Sequence, residues 1–408
     1  MKLLSLLLVV AVGTVFAEPT ARTYIFAASH YMFKRDYLGA APLDSLCKHF
    51  DVIIFHEKHG ENIWIRDSIP TIRDSLKVDW RRDKPPLLLL YKDAMTIDSS
   101  NNIQGGGATA GGFWHFDSLL RQNFPSDTFF MLKSEWTPNS VHWDTTIIGN
   151  DTLYRLHAGE NQWENRYTMD YGEPYWQKLY ACSTKVHCLR NSRNFSYDNT
   201  YFDGVFIDNL LQYVNQYGYN MYPIQYMDTI NGVVDSVKFR ISVHTFACSV
   251  SAEYHNPATP PQYGARILGV ANLNNTYRTT HYDSLWRWNI GVLDGGMEES
   301  FATRNININI FPNWLKQIHE IAIAESLGKM CLMCHKVDGF EWQHDTAWAY
   351  PFDYTKFDST DLIFGFASYL MAFDSMAHFY FTPDSQYFYT FICLAPILNI
   401  DIGKPMGK

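Results

Sequence analysis

What this chain has little of narrows it first. Only 18% of its 408 residues are charged, and acidic side chains outnumber basic ones 42 to 33, a net charge of −9. A chain this poor in charge and 47% hydrophobic buries a core rather than staying disordered. No run of Lys or Arg occurs, so the footprint that a nucleic acid or an anionic membrane surface needs is missing. No internal repeat or heptad array stands out, which excludes solenoids and coiled coils. Seven cysteines (Cys47, Cys182, Cys188, Cys248, Cys331, Cys334 and Cys393) are too few for a disulfide scaffold. Cys182 and Cys188, on a segment that reads as a loop, could close a small ring. Cys331 and Cys334 have the CxxC spacing without a second pair, and their apolar setting reads as buried strand rather than zinc site. Neither a metal nor another cofactor is expected.

Aromatic residues are abundant instead, at 16% of the chain. Tyr and Trp offer flat faces with a polar handle, a surface suited to stacking on sugar rings. The first residues read as an export signal: Met1-Lys2, then Leu3 to Val12 apolar except for Ser5, then Val15-Phe16-Ala17 with small-residue cleavage character. That stretch is too short to span a bilayer, and no later run is long enough. The expected mature protein therefore covers 18–408, is secreted to the extracellular space or periplasm, and has no membrane span.

Short, uniformly apolar runs alternate with amphipathic stretches. Strands are expected at Thr23–Ala28, Asp51–Phe55, Pro86–Tyr91, Phe202–Asp208, Arg266–Ala271, Ile290–Met297, Met330–Cys334 and His378–Phe381. Runs apolar on both faces suit a parallel sheet. Helices are expected at Pro42–Phe50, Ile63–Val78, Phe113–Phe124, Ser236–Tyr254, Phe311–Leu327 and Thr360–Ala377. Eight strands in βα alternation predict an α/β fold, a single (β/α)8 TIM barrel, where a doubly wound sheet would carry a glycine-rich first turn. The third and fourth strands are too far apart for one connection, so a loop insertion at about 134–200 is expected, with a hairpin at Ile147–Tyr154.

In such a barrel the strand C-termini form the mouth of the site. They offer His30 and Tyr31, His56 and Glu57, Tyr91, Lys92 and Asp93, Asp208 and Asn209, Asn272 and Asn274, Glu298 and Glu299, then His335, Lys336 and Asp338. In Phe202-Asp-Gly-Val-Phe-Ile-Asp208-Asn209 alternation sets Phe206 and Asp208 on one face. Asp208 then emerges where an apolar strand ends, poised for catalysis or, more blandly, for a cap or salt bridge. Asp203, at the strand's start, reads as structural. In Gly291-Val-Leu-Asp-Gly-Gly-Met-Glu298-Glu299-Ser-Phe301 two acids follow a Gly-Gly bend, and only one of them can aim inward. A carboxyl from each segment, one ionised and one protonated, is the equipment of glycoside hydrolysis.

These two segments, the late helix Leu362–Phe373 and Asp401-Ile-Gly-Lys-Pro-Met406 resemble the glycoside hydrolase-like family 15, itself similar to endo-α-1,4-polygalactosaminidase-type barrels. The resemblance covers most of the chain apart from about 134–165. It implies a secreted (β/α)8 enzyme acting on polysaccharide, with an acid at strand four and a Glu near strand six. Position by position these are Asp208 and, by its Glu-Ser-Phe context, Glu299, with Glu298 as competitor. Asp208 is expected as nucleophile or base and Glu299 as proton donor. His30, Tyr31, Tyr91, Lys92, Asn209, Asn272, His335 and Trp114 are expected to hold the polysaccharide or oligosaccharide substrate, with Trp136 and Trp143 stacking. The chain is expected to be a monomer. The rivals are a non-catalytic carbohydrate-binding barrel at the cell surface, or a metal-dependent hydrolase barrel whose usual strand-one His-x-His pair is absent here.

Overall fold

The structure, a computed structural model, describes residues 22, 24–28, 50–55, 86–98, 132–133, 145–148, 151–155, 166–189, 202–210, 212, 226, 235–258, 265–273, 282–303, 311–337 and 359–383. Its strands are β1 (Tyr24–Ala28), β2 (Val52–Phe55), β3 (Leu87–Asp93), β4 (Thr96–Asp98), β5 (Leu132–Lys133), β6 (Thr145–Ile148), β7 (Asp151–Arg155), β8 (Arg166–Thr168), β9 (Gly204–Asp208), β10 (Leu268–Asn272), β11 (Gly295–Glu298), β12 (Met330–Val337) and β13 (Ala377–Pro383). Its described helices are α1 (Pro174–Leu189), α2 (Ser236–His255), α3 (Tyr282–Val292), α4 (Phe311–Leu327) and α5 (Ser359–Leu370).

One parallel sheet organises the chain, in the order β1-β2-β3-β9-β10-β11-β12-β13. From β9 onward each step to the next strand carries one described helix, a crossover of the kind that parallel pairing demands. The sheet curls until its edge strands meet. The Phe379 N–H donates to the Arg22 carbonyl at 2.9 Å, and the Tyr24 and Tyr380 rings lie 5.4 Å apart. Beneath them the Tyr369 hydroxyl donates to the Ala377 carbonyl at 3.0 Å. A curled parallel sheet with helices is an α/β fold, consistent with a TIM-like barrel.

The described residues of β2, β9 and β11 are buried throughout, as strands enclosed by sheet interior on one face and helices on the other must be. Two glycines make the tight spacing possible. A Cβ on Gly204 would lie 2.4 Å from the Leu268 carbonyl oxygen, and one on Gly295 2.5 Å from that of Met330. Asp203 anchors the start of β9: its carboxylate accepts from the Leu88 N–H at 2.7 Å. It is the structural acid that its place in the sequence suggested.

Helix starts follow local chemistry. The Asp235 carboxylate caps α2 by accepting from the N–H groups of Val237 and Lys238 at 3.0 and 2.9 Å. The last helix ends at Leu370 instead of running to Ala377, where β13 begins. The expected strand Ile290–Met297 is a helix end followed by a short strand. Trp286, Ile290 and Leu293 recur at helical spacing and are fully buried, so α3 runs to Val292 and β11 starts at Gly295. Nor is the Cys182–Cys188 segment a loop. It is helical, and neither cysteine is in a disulfide. Turned into the core, the Cys188 Sγ donates weakly to the Phe202 and Gly204 carbonyls, at 3.5 and 3.6 Å.

Between β3 and β9 in the chain, β6 and β7 form the expected hairpin, with Ile148 opposite Asp151, and β5 pairs with β7 on its other side. A second ladder, β4 with β8, is antiparallel. The helices expected at Pro42–Phe50, Ile63–Val78 and Phe113–Phe124 and the export signal at 1–17 fall outside the described residues, Phe50 excepted.

Candidate active site

Five neighbouring strands end in polar side chains that meet. Asp208 closes β9 and is buried, 8% exposed. The Tyr91 hydroxyl, from β3, donates to its Oδ2. The Asn272 amide, from β10, donates to its Oδ1 at 2.9 Å. The same Asn272 Nδ2 donates at 2.8 Å to Oε2 of Glu299, just beyond β11. Lys336 on β12 sets its Nζ 3.8 Å from the other Glu299 oxygen. One amide nitrogen therefore ties together two carboxyls from different strands.

The register explains the convergence. Asp93 pairs with Asp208 across β3 and β9, and Tyr91 with Phe206, so Tyr91, Asp93, Phe206 and Asp208 share one face. The Tyr91 and Phe206 rings stack at 6.0 Å. Asp93 is pinned by the Met95 N–H at 2.8 Å and by the Asn209 amide at 3.2 Å. Asn209 takes the left-handed conformation, φ 58°, at the turn out of β9. Its carbonyl accepts from the Tyr171 hydroxyl.

Burial pushes the Asp208 carboxyl up to about 7, helped by the negative charges of Asp93 and then Glu299. Hydrogen bonds from Tyr91 and Asn272 pull the other way without overcoming it. Like charges this close do not all ionise together, so the cluster retains a proton up to near-neutral pH. Glu299 is the more open of the pair, with 16% of its side chain exposed.

No family model matches this chain, and no curated protein matches it. Among solved structures it is similar to the glycoside hydrolase domain of PelA from Pseudomonas aeruginosa, at TM-score 0.37 and 12% identity, over 78% of this chain and 85% of that one. It is also similar to TtGalA, an α-galactosidase from Thermus thermophilus in complex with p-nitrophenyl α-D-galactopyranoside. There the TM-score is 0.30 and the identity 9%, over 78% of this chain and 58% of that one. Its chemistry has to be read from its own side chains.

The doubled Glu separates cleanly. Glu298 is fully buried, its Oε1 accepts from the Ser300 N–H at 3.0 Å, and its charge acts on Glu320 of α4 and Cys331 of β12. It faces the helix layer, while Glu299 faces the cluster. Burial, then Glu298, holds the Glu320 carboxyl well above the usual range.

Of the side chains expected to hold substrate, Tyr91, Asn209 and Asn272 are in or beside the cluster. Two are not. His335 is fully buried, with Nδ1 3.0 Å from the Phe301 carbonyl and Nε2 3.7 Å from Asp361 of α5. A Cβ on Gly365 of α5 would lie 2.5 Å from its ring, so His335 is packed against that helix, away from Lys336 and Glu299. Alternation puts Lys92 on the opposite face of β3 from Tyr91 and Asp93; it is 1% exposed, and its carbonyl accepts from the Tyr180 hydroxyl of α1 at 3.0 Å. His30, Tyr31, Trp114, Trp136 and Trp143 lie outside the described residues.

Asp93 and Lys336 are on the rim of expected strand ends without an expected role, and both touch the cluster. Strand period would have found them: each sits two residues beyond an inward-facing neighbour, Tyr91 and Cys334. Among the described residues no group of three or more His, Cys, Asp or Glu could hold a metal ion, and no helix is long and apolar enough to cross a membrane.

Proposed function

We propose that this chain is a secreted glycoside hydrolase of the glycoside hydrolase-like family 15 kind, a closed (β/α)8 barrel that cleaves O-glycosidic bonds of a polysaccharide with Asp208 and Glu299. The observation that carries the reading is the shared amide. The two Asn272 bonds, 2.9 and 2.8 Å, laid end to end cap the separation of the Asp208 and Glu299 oxygens at 5.7 Å. Inverting enzymes leave room for a water with carboxyls roughly 6.5–9.5 Å apart, whereas retaining ones hold them about 5–5.5 Å apart. The cap bears on the facing oxygens alone and sets the two carboxyls close enough to flank one bond; retention, with a covalent glycosyl intermediate, is the reading that the configuration of the first product tests.

The pair's openness supports the division of roles. The acid that protonates the leaving oxygen must later admit a water, and Glu299 is the more accessible carboxyl. Asp208 lies deeper, with donors fixing both oxygens, an arrangement that aims an ionised carboxylate at an anomeric carbon. In the free chain the shared proton rests on Asp208. Once it has passed to Glu299, the Asp208 carboxylate attacks the anomeric carbon while Glu299 gives a proton to the departing oxygen. Glu299 then takes a proton from the water that displaces the sugar from Asp208. The active form holds one proton between the two carboxyls, so kcat/KM should fall as the pH rises through about 7.

The test is turnover of a polysaccharide panel, read as new reducing ends. Asp208→Asn and Glu299→Gln should each lower kcat by a thousandfold or more while the circular dichroism spectrum stays native. Full activity in either variant removes that residue from the chemistry, and inverted configuration in the first product excludes the covalent step.

A further inference from the structure

Outside the sheet, α2 and α3 leave between them a groove of about 770 Å³, lined by Val237, Arg240 and Ile241 on one side and Leu285, Trp288 and Gly291 on the other. That volume is in the range of small-ligand sites, roughly 300–1,000 Å³. The rim is unusual for a helix surface, since Val237 and Ile241 are 61% and 51% exposed. Trp288 is 41% exposed, and its indole stacks on His244 of α2 with centroids 3.9 Å apart and planes 22° apart. The stack occupies one face of the indole and fixes its plane, leaving a rigid aromatic wall toward the groove. A Cβ on Gly291 would meet none of the described residues within 4 Å.

Two guanidinium groups flank this wall. Arg287 is held loosely by Asp283, one turn earlier, at 3.5 Å between half-exposed side chains. Arg240 donates from Nε to the Gln212 carbonyl at 3.4 Å and has no carboxylate partner among the described residues. In a chain of net charge −9, a guanidinium without a carboxylate beside a fixed indole is a local attraction for an anion with a flat apolar face.

We propose that the groove binds polysaccharide away from the cleavage cluster, through a sugar that carries a carboxylate: the C–H face of the pyranose stacks on Trp288, and the carboxylate pairs with Arg240. The inference rests on the polysaccharide reading above and narrows it to acidic glycans. A docked second copy of the chain would use the apolar rim but leave Arg240 without purpose.

Affinity electrophoresis of the whole chain through gels containing polygalacturonate, alginate or hyaluronate tests it, each beside its carboxyl-reduced form. At least one acidic polymer should retard the protein. Trp288→Ala and Arg240→Gln should weaken that retardation about tenfold and fivefold, and so should carboxyl reduction. Trp288→Leu, which keeps an apolar contact but no ring, guards against misfolding and should behave as Trp288→Ala does. Asp208→Asn should bind as the unaltered chain does. No retardation by any acidic polymer, equal retardation of the Trp288 variants, or a concentration-dependent dimer abolished by Trp288→Leu overturns the proposal. Retardation that persists in a protein with no turnover on any glycan refutes the catalytic reading and leaves this one standing.

Discussion

The buried Asp208 makes a prediction about stability that needs no substrate. Folding raises its carboxyl from 3.8 to about 7. Between those values the folded chain keeps a proton that the unfolded chain has lost, so unfolding releases a proton. Stability then falls as pH rises, by about 4 kcal/mol in all over the window from about 4 to about 7, and is flat outside it. Asp208→Asn removes the titration. Its carbonyl can still accept from one donor while the loss of the second acceptor costs about 1 kcal/mol, independent of pH. Urea unfolding of both chains at intervals from pH 4 to pH 8 should show the variant gaining on the unaltered protein by about 4 kcal/mol across that range. Other buried carboxyls such as Glu320 titrate in both chains and largely cancel in the difference. Glu299→Gln removes one of the two charges that raise Asp208, so it should shrink the slope without abolishing it. Parallel stability curves, or a gap that widens toward acid, would mean that Asp208 is not held protonated and that the proposed one-proton pair is wrong.

The remaining expectations probe the supports of the cluster. Asn272→Ala should cut kcat/KM about a hundredfold and cost about 1–3 kcal/mol of stability, because two buried carboxyls lose their common donor; unchanged kinetics would separate the bridge from the chemistry. Glu320→Leu should stabilise the fold by about 1–3 kcal/mol at neutral pH, since it removes a fully buried carboxyl that has no hydrogen-bond partner among the described residues and lies beside Glu298; thermal melting that moves downward would refute this. Gly295→Ala, with its Cβ set against the Met330 carbonyl, should cost about 1–3 kcal/mol and lower activity by displacing β11 and with it Glu299. A Tm unchanged within error would show that the strands part freely there.

Much of the sheet was legible because parallel strands buried on both faces announce themselves as apolar runs, and Val52–Phe55, Leu87–Leu90 and Val205–Ile207 do so plainly. Ile290-Gly-Val-Leu is apolar enough for a strand and periodic enough for a helix, and a run of that length cannot decide between them. Packing decides, with Trp286 and Ile290 one turn apart against the sheet and the Trp286 indole donating to the Glu320 carbonyl at 3.0 Å. The segment around Cys182 reads as a loop because of its many polar residues. Yet Gln177, Thr184 and Lys185 are buried polar groups satisfied by backbone carbonyls, a solution visible only once the partners are in place.

At the cluster, one-dimensional reasoning names Asp208, Glu299 and Asn272 but not how they meet. That one glutamate of the pair must face away follows from period two, but which one depends on where β11 leaves the sheet. The strand ends at Glu298, whose side chain is on the helix side, and the turn beginning at Glu299 carries the next carboxyl over the mouth. His335 and Lys336 repeat the lesson on β12: the histidine, with the more suggestive chemistry, is the one packed against Gly365, and the lysine beside it reaches Glu299. Residue type proposes a role, but the parity of the strand position decides whether the side chain is free to perform it.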